Sequence, residues 1–214
     1  MLNQSLMHRV QRQLAGLAPE DIQPFVSFTI EPIYTLVARP PQNVCDAIAA
    51  TAHNLKQRFP DHYYYSPDQY HMTLLPVLAL KDDTIQRISQ VLTPLQVTLH
   101  GISANKHGVA VAGYPTSEPS LAEMRSILRP IVGNLLDYKE HNEVWDQLLW
   151  INFMRFKTQP SHDFLTHIQS LKDLQLPTFT IASWQLYKTT SRVLAPQQST
   201  LIDTISTSVT GQKL

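Results

Sequence analysis

Apolar residues recur along this chain in two periods, and the places where the period changes mark out its elements. Leu6, Val10, Leu14 and Leu17 keep helical spacing over the stretch near Ser5 to Leu17. Pro24 and Pro32 then break the chain around a short apolar run, Phe25 to Ile30, and Ile33-Tyr34-Thr35-Leu36-Val37-Ala38 reads as a strand closed by Pro40-Pro41. From Gln42 to Phe59 the apolar positions Val44, Ile48, Ala52, Leu55 and Phe59 define an amphipathic helix that Pro60 ends. Tyr70-His71-Met72-Thr73-Leu74-Leu75 returns to period two and runs into Pro76. Asp82-Asp83-Thr84 is a cap for the helical stripe Ile85, Ile88, Val91 and Leu92.

The second half continues in the same manner. Val97 to His100 and Gly108 to Gly113 predict a hairpin with a short polar connection. Ser120 and Glu123 form a capping box ahead of Met124, Ile127 and Leu128, in a helix that Pro130 is expected to kink or shorten. A strand around Trp150 follows, then a helix from near Ser161 with Phe164, Leu165, Ile168 and Leu171. One strand from Phe179 to Tyr187 and an extended segment over Leu201 to Ile205 close the chain. Helices alternating with strands and hairpins predict an α+β fold with a largely antiparallel sheet. In each half a long helix precedes a strand of the type x-Leu/Ile-x-Phe/Leu-x and a second helix follows, a sign of internal duplication and of two facing lobes. The division expected is a helical N-terminal extension over residues 1–24 and a single bilobal domain over 25–214.

Composition narrows the partners. At 214 residues, 43% hydrophobic and 16% charged, the chain has the make-up of a soluble globular protein with one sizeable core. Lys+Arg and Asp+Glu both number 17, so no overall field favours a duplex nucleic-acid footprint or a membrane surface, whereas one nucleotide phosphate held in a cleft fits the balance. The lone Cys45 excludes an intrachain disulfide or a multi-cysteine metal site, and its place beside Val44 and Ile48 marks an inert buried thiol. With no secretory signal and no membrane-length apolar run, the cytoplasm is the expected compartment.

Candidate chemistry sits on two matching strands. Alternation puts His71 and Thr73 on one face and Met72 and Leu74 on the other. The internal counterpart, Trp150-Ile151-Asn152-Phe153-Met154-Arg155, keeps the apolar positions but carries Trp150 and Asn152 where His and Thr stood. By the same alternation Arg155 shares its parity with Ile151 and Phe153, which aims it away from the His71 face. Tyr65, the last of Tyr63-Tyr64-Tyr65, is a candidate ring for stacking on a base, in a run that more often is an aromatic edge strand or loop shielding the core. Lys188 and Arg192 bracket Thr189-Thr190-Ser191, which reads either as an anion-facing loop or as a solvated turn.

These residues resemble the 2H phosphoesterase superfamily, whose bacterial members are called 2′-5′ RNA ligases or RNA 2′,3′-cyclic phosphodiesterases. His71-Met72-Thr73-Leu74 is similar to its first His-x-Thr/Ser motif. Trp150-Ile151-Asn152-Phe153-Met154-Arg155 is similar to the second, His-x-Thr/Ser-apolar-x-Arg, in its apolar residue and its arginine. The resemblance covers roughly Ile33 to Ser206. It implies a two-lobed pseudo-symmetric fold, no cofactor and no metal, and a nucleotide or an RNA end carrying a 2′,3′-cyclic phosphate or 2′-5′ linkage as ligand. In that chemistry two histidines near neutral pKa exchange protons with the attacking and leaving oxygens, and the paired hydroxyls hold the phosphate. The resemblance therefore implies His71 as general acid or base and Thr73 as phosphate ligand, with Asn152 and Trp150 of the second motif as substrate-binding positions, to which the aromatic run adds Tyr65.

The departure limits turnover. An indole nitrogen donates but does not titrate, so Trp150 transfers no proton, and loss of one acid/base partner typically removes about 10²–10⁴ of rate. Asn152 retains an amide donor for a phosphate oxygen. His141, His162, His100 and His107 lie at positions where none is expected to replace the missing histidine. A metal-independent phosphodiesterase working through His71 is the leading expectation; the alternatives are a non-catalytic relative that binds a nucleotide or RNA end, and a structural or interaction domain.

Overall fold

In the computed structural model, described over residues 4–14, 17–25, 29–77, 80–116, 120–133, 146–191 and 193–207, the chain folds as α+β. Five α-helices are present among the described residues: α1 (Gln4–Leu14), α2 (Gln42–Arg58), α3 (Thr84–Val91), α4 (Leu121–Val132) and α5 (His162–Ser170). The nine strands are β1 (Thr29–Ala38), β2 (Tyr63–Tyr64), β3 (Met72–Val77), β4 (Leu95–Asn105), β5 (Gly108–Pro115), β6 (Leu149–Arg155), β7 (Gln175–Ile181), β8 (Ser183–Ser191) and β9 (Ser199–Ser206). They form one sheet in the order β7-β4-β5-β6-β3-β1-β8-β9, with β2 paired to β6 and every pairing antiparallel.

Local signals account for most boundaries. Ser120 Oγ accepts from Glu123 N at 3.3 Å while Glu123 Oε2 accepts from Ser120 N at 2.8 Å, closing the expected capping box of α4. Ser161 Oγ caps α5 by accepting from Phe164 N at 3.2 Å. At α3 the acidic pair makes no side-chain cap; Thr84 Oγ1 instead accepts from Lys81 N at 2.8 Å. Helix α4 runs through Pro130 to Val132 and stops at Gly133, whose φ of 90° belongs to glycine, so the proline sits inside the last turn without shortening the helix.

The largest departure from the sequence reading is at Phe179 to Tyr187. The chain makes two strands there, β7 and β8, separated by Ala182 alone. β7 pairs with β4 (Leu95 opposite Ile181), whereas β8 pairs with β1 (Val37 opposite Gln185), six strand positions away. In a flat sheet those strands would lie roughly 29 Å apart at about 4.8 Å per step, yet one residue spans at most about 7.6 Å between its neighbours. The sheet therefore bends until its two wings meet at Ala182, which produces two lobes from one continuous sheet.

One face of this sheet buries the main core. Leu36, Met72, Val109, Val111, Ile151, Phe153, Trp184 and Leu186 lie against Ile48 and Leu55 of α2, Ile88 of α3, Met124 and Leu128 of α4 and Phe164 of α5. The opposite face carries a second, smaller cluster in which Leu6 and Val10 of α1, 4% and 2% exposed, pack with Met7 on Ala112, Tyr114, Leu148 and Trp150. An eleven-residue helix is too short to persist alone in water, so this contact holds α1. The contact is small, since two buried aliphatic side chains contribute roughly 1.5–3 kcal/mol each before ordering costs.

Candidate functional site

The two matching strands are neighbours at the centre of the sheet. Met72 of β3 stands opposite Ile151 of β6, and both are fully buried on the core face. In an antiparallel pair the residues on either side then oppose each other on the other face, His71 with Asn152 and Thr73 with Trp150. The apolar midpoints of the two motifs thus coincide, and the four polar or aromatic side chains share one patch. Thr73 is exposed; His71, Asn152 and Trp150 are half-buried.

His71 is held in one tautomer. Its Nδ1 lies 2.7 Å from the Gln69 carbonyl, which can only accept, so Nδ1 carries the proton and Nε2 is left as an acceptor toward the patch. Burial pushes its pKa down to about 4; the bond to Gln69 opposes this, and the Arg39 and Arg155 guanidiniums add to it. At neutral pH the ring is an uncharged base beside two cations.

Arg155 reaches this face against the parity expected for it. Val109 pairs with Met154 but Ala110 pairs with Asn152, so β6 carries one extra residue, Phe153, in a β-bulge. The bulge buries both Phe153 and Met154 and returns Arg155 to the His71 side. There its Nε donates to Tyr65 Oη at 2.9 Å and its guanidinium lies 5.7 Å from the Phe25 ring centre. Gly108, opposite Arg155, leaves room for it: a Cβ would strike the Met154 carbonyl and stand 3.1 Å from Arg155 Cδ. Arg39 is fixed from the other side, with Nη1 donating to Asp68 O at 2.5 Å and Tyr70 O at 3.1 Å and its guanidinium 5.5 Å from the Tyr187 ring centre.

Tyr65 has a different part from the stacking ring expected of it. It is 4% exposed, its phenol holds Arg155, and Tyr63 meets it edge-on at 5.6 Å. Trp150 packs under α1. No other described histidine takes its place. His100 lies in the same row but two strands away, opposite Ala112, roughly 10 Å from Trp150. His107 is in the β4–β5 turn, and His162 begins α5 facing solvent; His141 and Arg192 are outside the described residues.

Sequence reading missed Arg125 altogether. This α4 residue is 9% exposed and donates to four main-chain carbonyls: Leu74 at 2.8 Å, Asp146 at 2.9 Å, Leu148 at 3.0 Å and Thr73 at 3.3 Å. It ties β3 to the entry of β6 where the two strands diverge. Its signal was a charge on the buried stripe of α4, one residue after Met124.

The histidines make stability pH-dependent. His71 titrates near 6.5 when unfolded and near 4 when folded, and His62, packed edge-on between Phe156 and Phe164, is also shifted down by burial. Below pH 6.5 the unfolded chain binds protons that the native site refuses, so stability is full above that pH and falls as pH drops toward 4. His71 accounts for a loss on the order of 1–2 kcal/mol by about pH 5. Urea midpoints measured from about pH 7.5 down to 5 are expected to fall, with a shallower fall in His71→Gln; an equal slope in that variant contradicts the assignment.

The fold is shared with solved structures of low sequence identity. Among solved structures, the chain is similar to the TT0787 protein of Thermus thermophilus, with 15% identity, TM-score 0.53, and coverage of 81% of this chain and 97% of that one. It is similar also to E. coli LigT complexed with 3′-AMP, with 14% identity, TM-score 0.54, and coverage of 83% and 99%. No family model matches the chain, and no curated protein matches it. Among the described residues no helix is long and apolar enough to cross a membrane.

Proposed function

We propose that the chain binds the phosphate of a nucleotide or RNA end at His71, Thr73, Asn152 and Arg155, and acts on 2′,3′-cyclic or 2′-5′ phosphodiesters without a metal, slowly. The observation that carries this reading is the register of Met72 with Ile151, which gives the two motifs a common patch. His71 Nε2 is the proton acceptor for the attacking oxygen. Thr73 Oγ1, the Asn152 amide and the Arg155 guanidinium, whose terminal nitrogens have no protein acceptor among the described residues, supply donors for the phosphate oxygens. With Trp150 in the partner position no side chain among the described residues gives a proton to the leaving oxygen, so that proton comes from water and the rate is low.

A non-catalytic nucleotide-binding role is the second reading, favoured by Trp150 lying under α1. Both are tested by one titration. On binding 3′-AMP, the phosphate charge is expected to raise the NMR-observed pKa of His71 from near 4 by a unit or more. His71→Ala is expected to abolish any opening of 2′,3′-cyclic AMP while leaving the fold intact. Binding without turnover in the unsubstituted chain selects the second reading, and absence of both rejects the phosphate site.

A further inference from the structure

Among the described residues α1 is the sole helix on the sheet face that carries His71 and Thr73. It covers the β5–β6 half of that face, with Leu6, Met7 and Val10 seated on Ala112, Tyr114, Leu148 and Trp150; on the β3 side Thr73 is exposed and His71 half-buried, while Val37 of β1, opposite Thr73, is fully buried. Its hold is uneven. Gln11 Nε2 donates to Asp173 Oδ1 at 3.2 Å and to the Lys172 carbonyl at 3.5 Å, but between α1, β4 and α5 lies a cavity of about 460 Å³ bounded by His8, Arg12, Ser103 and Ile168. The cavity lies directly beside the contacts that hold the helix.

We propose that α1 sets the length of nucleic acid that the site accepts. Docked, it leaves room for one terminal nucleotide on the His71 half. Undocked, it frees a floor with two aromatic rings, Tyr114 and Trp150, on which the next bases of a single strand stack. The helix sequence, QSLMHRVQRQL, carries Arg9 and Arg12 and no carboxylate, so a released α1 does not repel a phosphate chain. Trp150 then has two parts, as the seat of α1 and as the stacking surface beneath it. This inference rests on reading the His71 patch as a nucleotide-phosphate site.

The test uses the full chain with Leu6→Asp and Val10→Asp together, and Met7→Pro as a second way to release the helix. Two probes, 3′-AMP and a single-stranded RNA tetranucleotide with a 3′-phosphate, are titrated calorimetrically at one salt concentration. Acrylamide quenching is followed in a Trp145→Phe background, where Trp184, fully buried, stays silent and Trp150 reports. Both variants are expected to expose Trp150 and to bind the tetranucleotide at least about tenfold more tightly, with 3′-AMP affinity within about twofold of the parent. Unchanged tetranucleotide affinity with 3′-AMP binding intact overturns the length-setting role, as does unchanged quenching. If 3′-AMP binds no form of the protein, the phosphate site itself is wrong and the length claim falls with it, while quenching still tells whether α1 covers Trp150.

Discussion

Arg125→Met is expected to destabilise the chain by about 3–5 kcal/mol, since each buried carbonyl left without a donor costs about 1–3 kcal/mol and water recovers part of the sum. Methionine preserves most of the volume, so the loss reports hydrogen bonding more than packing. Four carbonyls, of Thr73, Leu74, Asp146 and Leu148, would lose their donor around a side chain that is itself 9% exposed. Those carbonyls sit where β3 and β6 part company after the single register pair Met72–Ile151. Arg125→Lys, with one ammonium in place of a fork, is expected to recover less than half of the loss. Urea unfolding gives the energies, and hydrogen exchange of residues 72–75 locates the damage. A loss below about 1 kcal/mol for Arg125→Met would show that water satisfies these carbonyls as well as the guanidinium does.

Restoring the second motif carries the largest expected gain. Trp150→His with Asn152→Thr places a titratable ring opposite Thr73 and a hydroxyl opposite His71, and is expected to raise the rate of 2′,3′-cyclic nucleotide opening about 10²-fold or more. The same change empties space beneath Leu6 and Met7, so a stability loss of roughly 2–3 kcal/mol accompanies it. Steady-state rates are therefore to be compared at a temperature where circular dichroism shows both proteins folded. A folded double variant with no gain would mean that the aligned strands are not a catalytic frame.

How much of this was legible beforehand follows from the range over which each determinant acts. The β3 and β6 strands, α2, α4 with its capping box, and the α+β class were readable because period and caps are local. The bulge at Phe153 was not, because nothing in Ile151-Asn152-Phe153-Met154-Arg155 marks an extra residue; the mismatch exists only against Val109 and Ala110 of β5. That one residue reversed the side assigned to Arg155. The break at Ala182 was equally hidden, since Phe179 to Tyr187 keeps its strand character on both sides and only the partners differ. Tyr65 was placed by its neighbours in sequence as a stacking ring, and its hydrogen bond to a residue 90 positions away gave it another part. For α1 the amphipathic spacing gave the helix, but an apolar stripe carries no address.

The bend at Ala182 also fixes when the molecule can be completed. β1, near the start of the chain, has β3 on one side and β8 on the other, and β8 spans Ser183–Ser191. During synthesis β1 and β3 therefore wait, one edge of their ladder open, until residues 78–182 have been made. Leu36 and Val37 lie in that waiting strand, a short apolar segment with a bare edge. The burden on the cell is thus greatest in the nascent chain, and Trp184 and Leu186 arrive as the residues that end it.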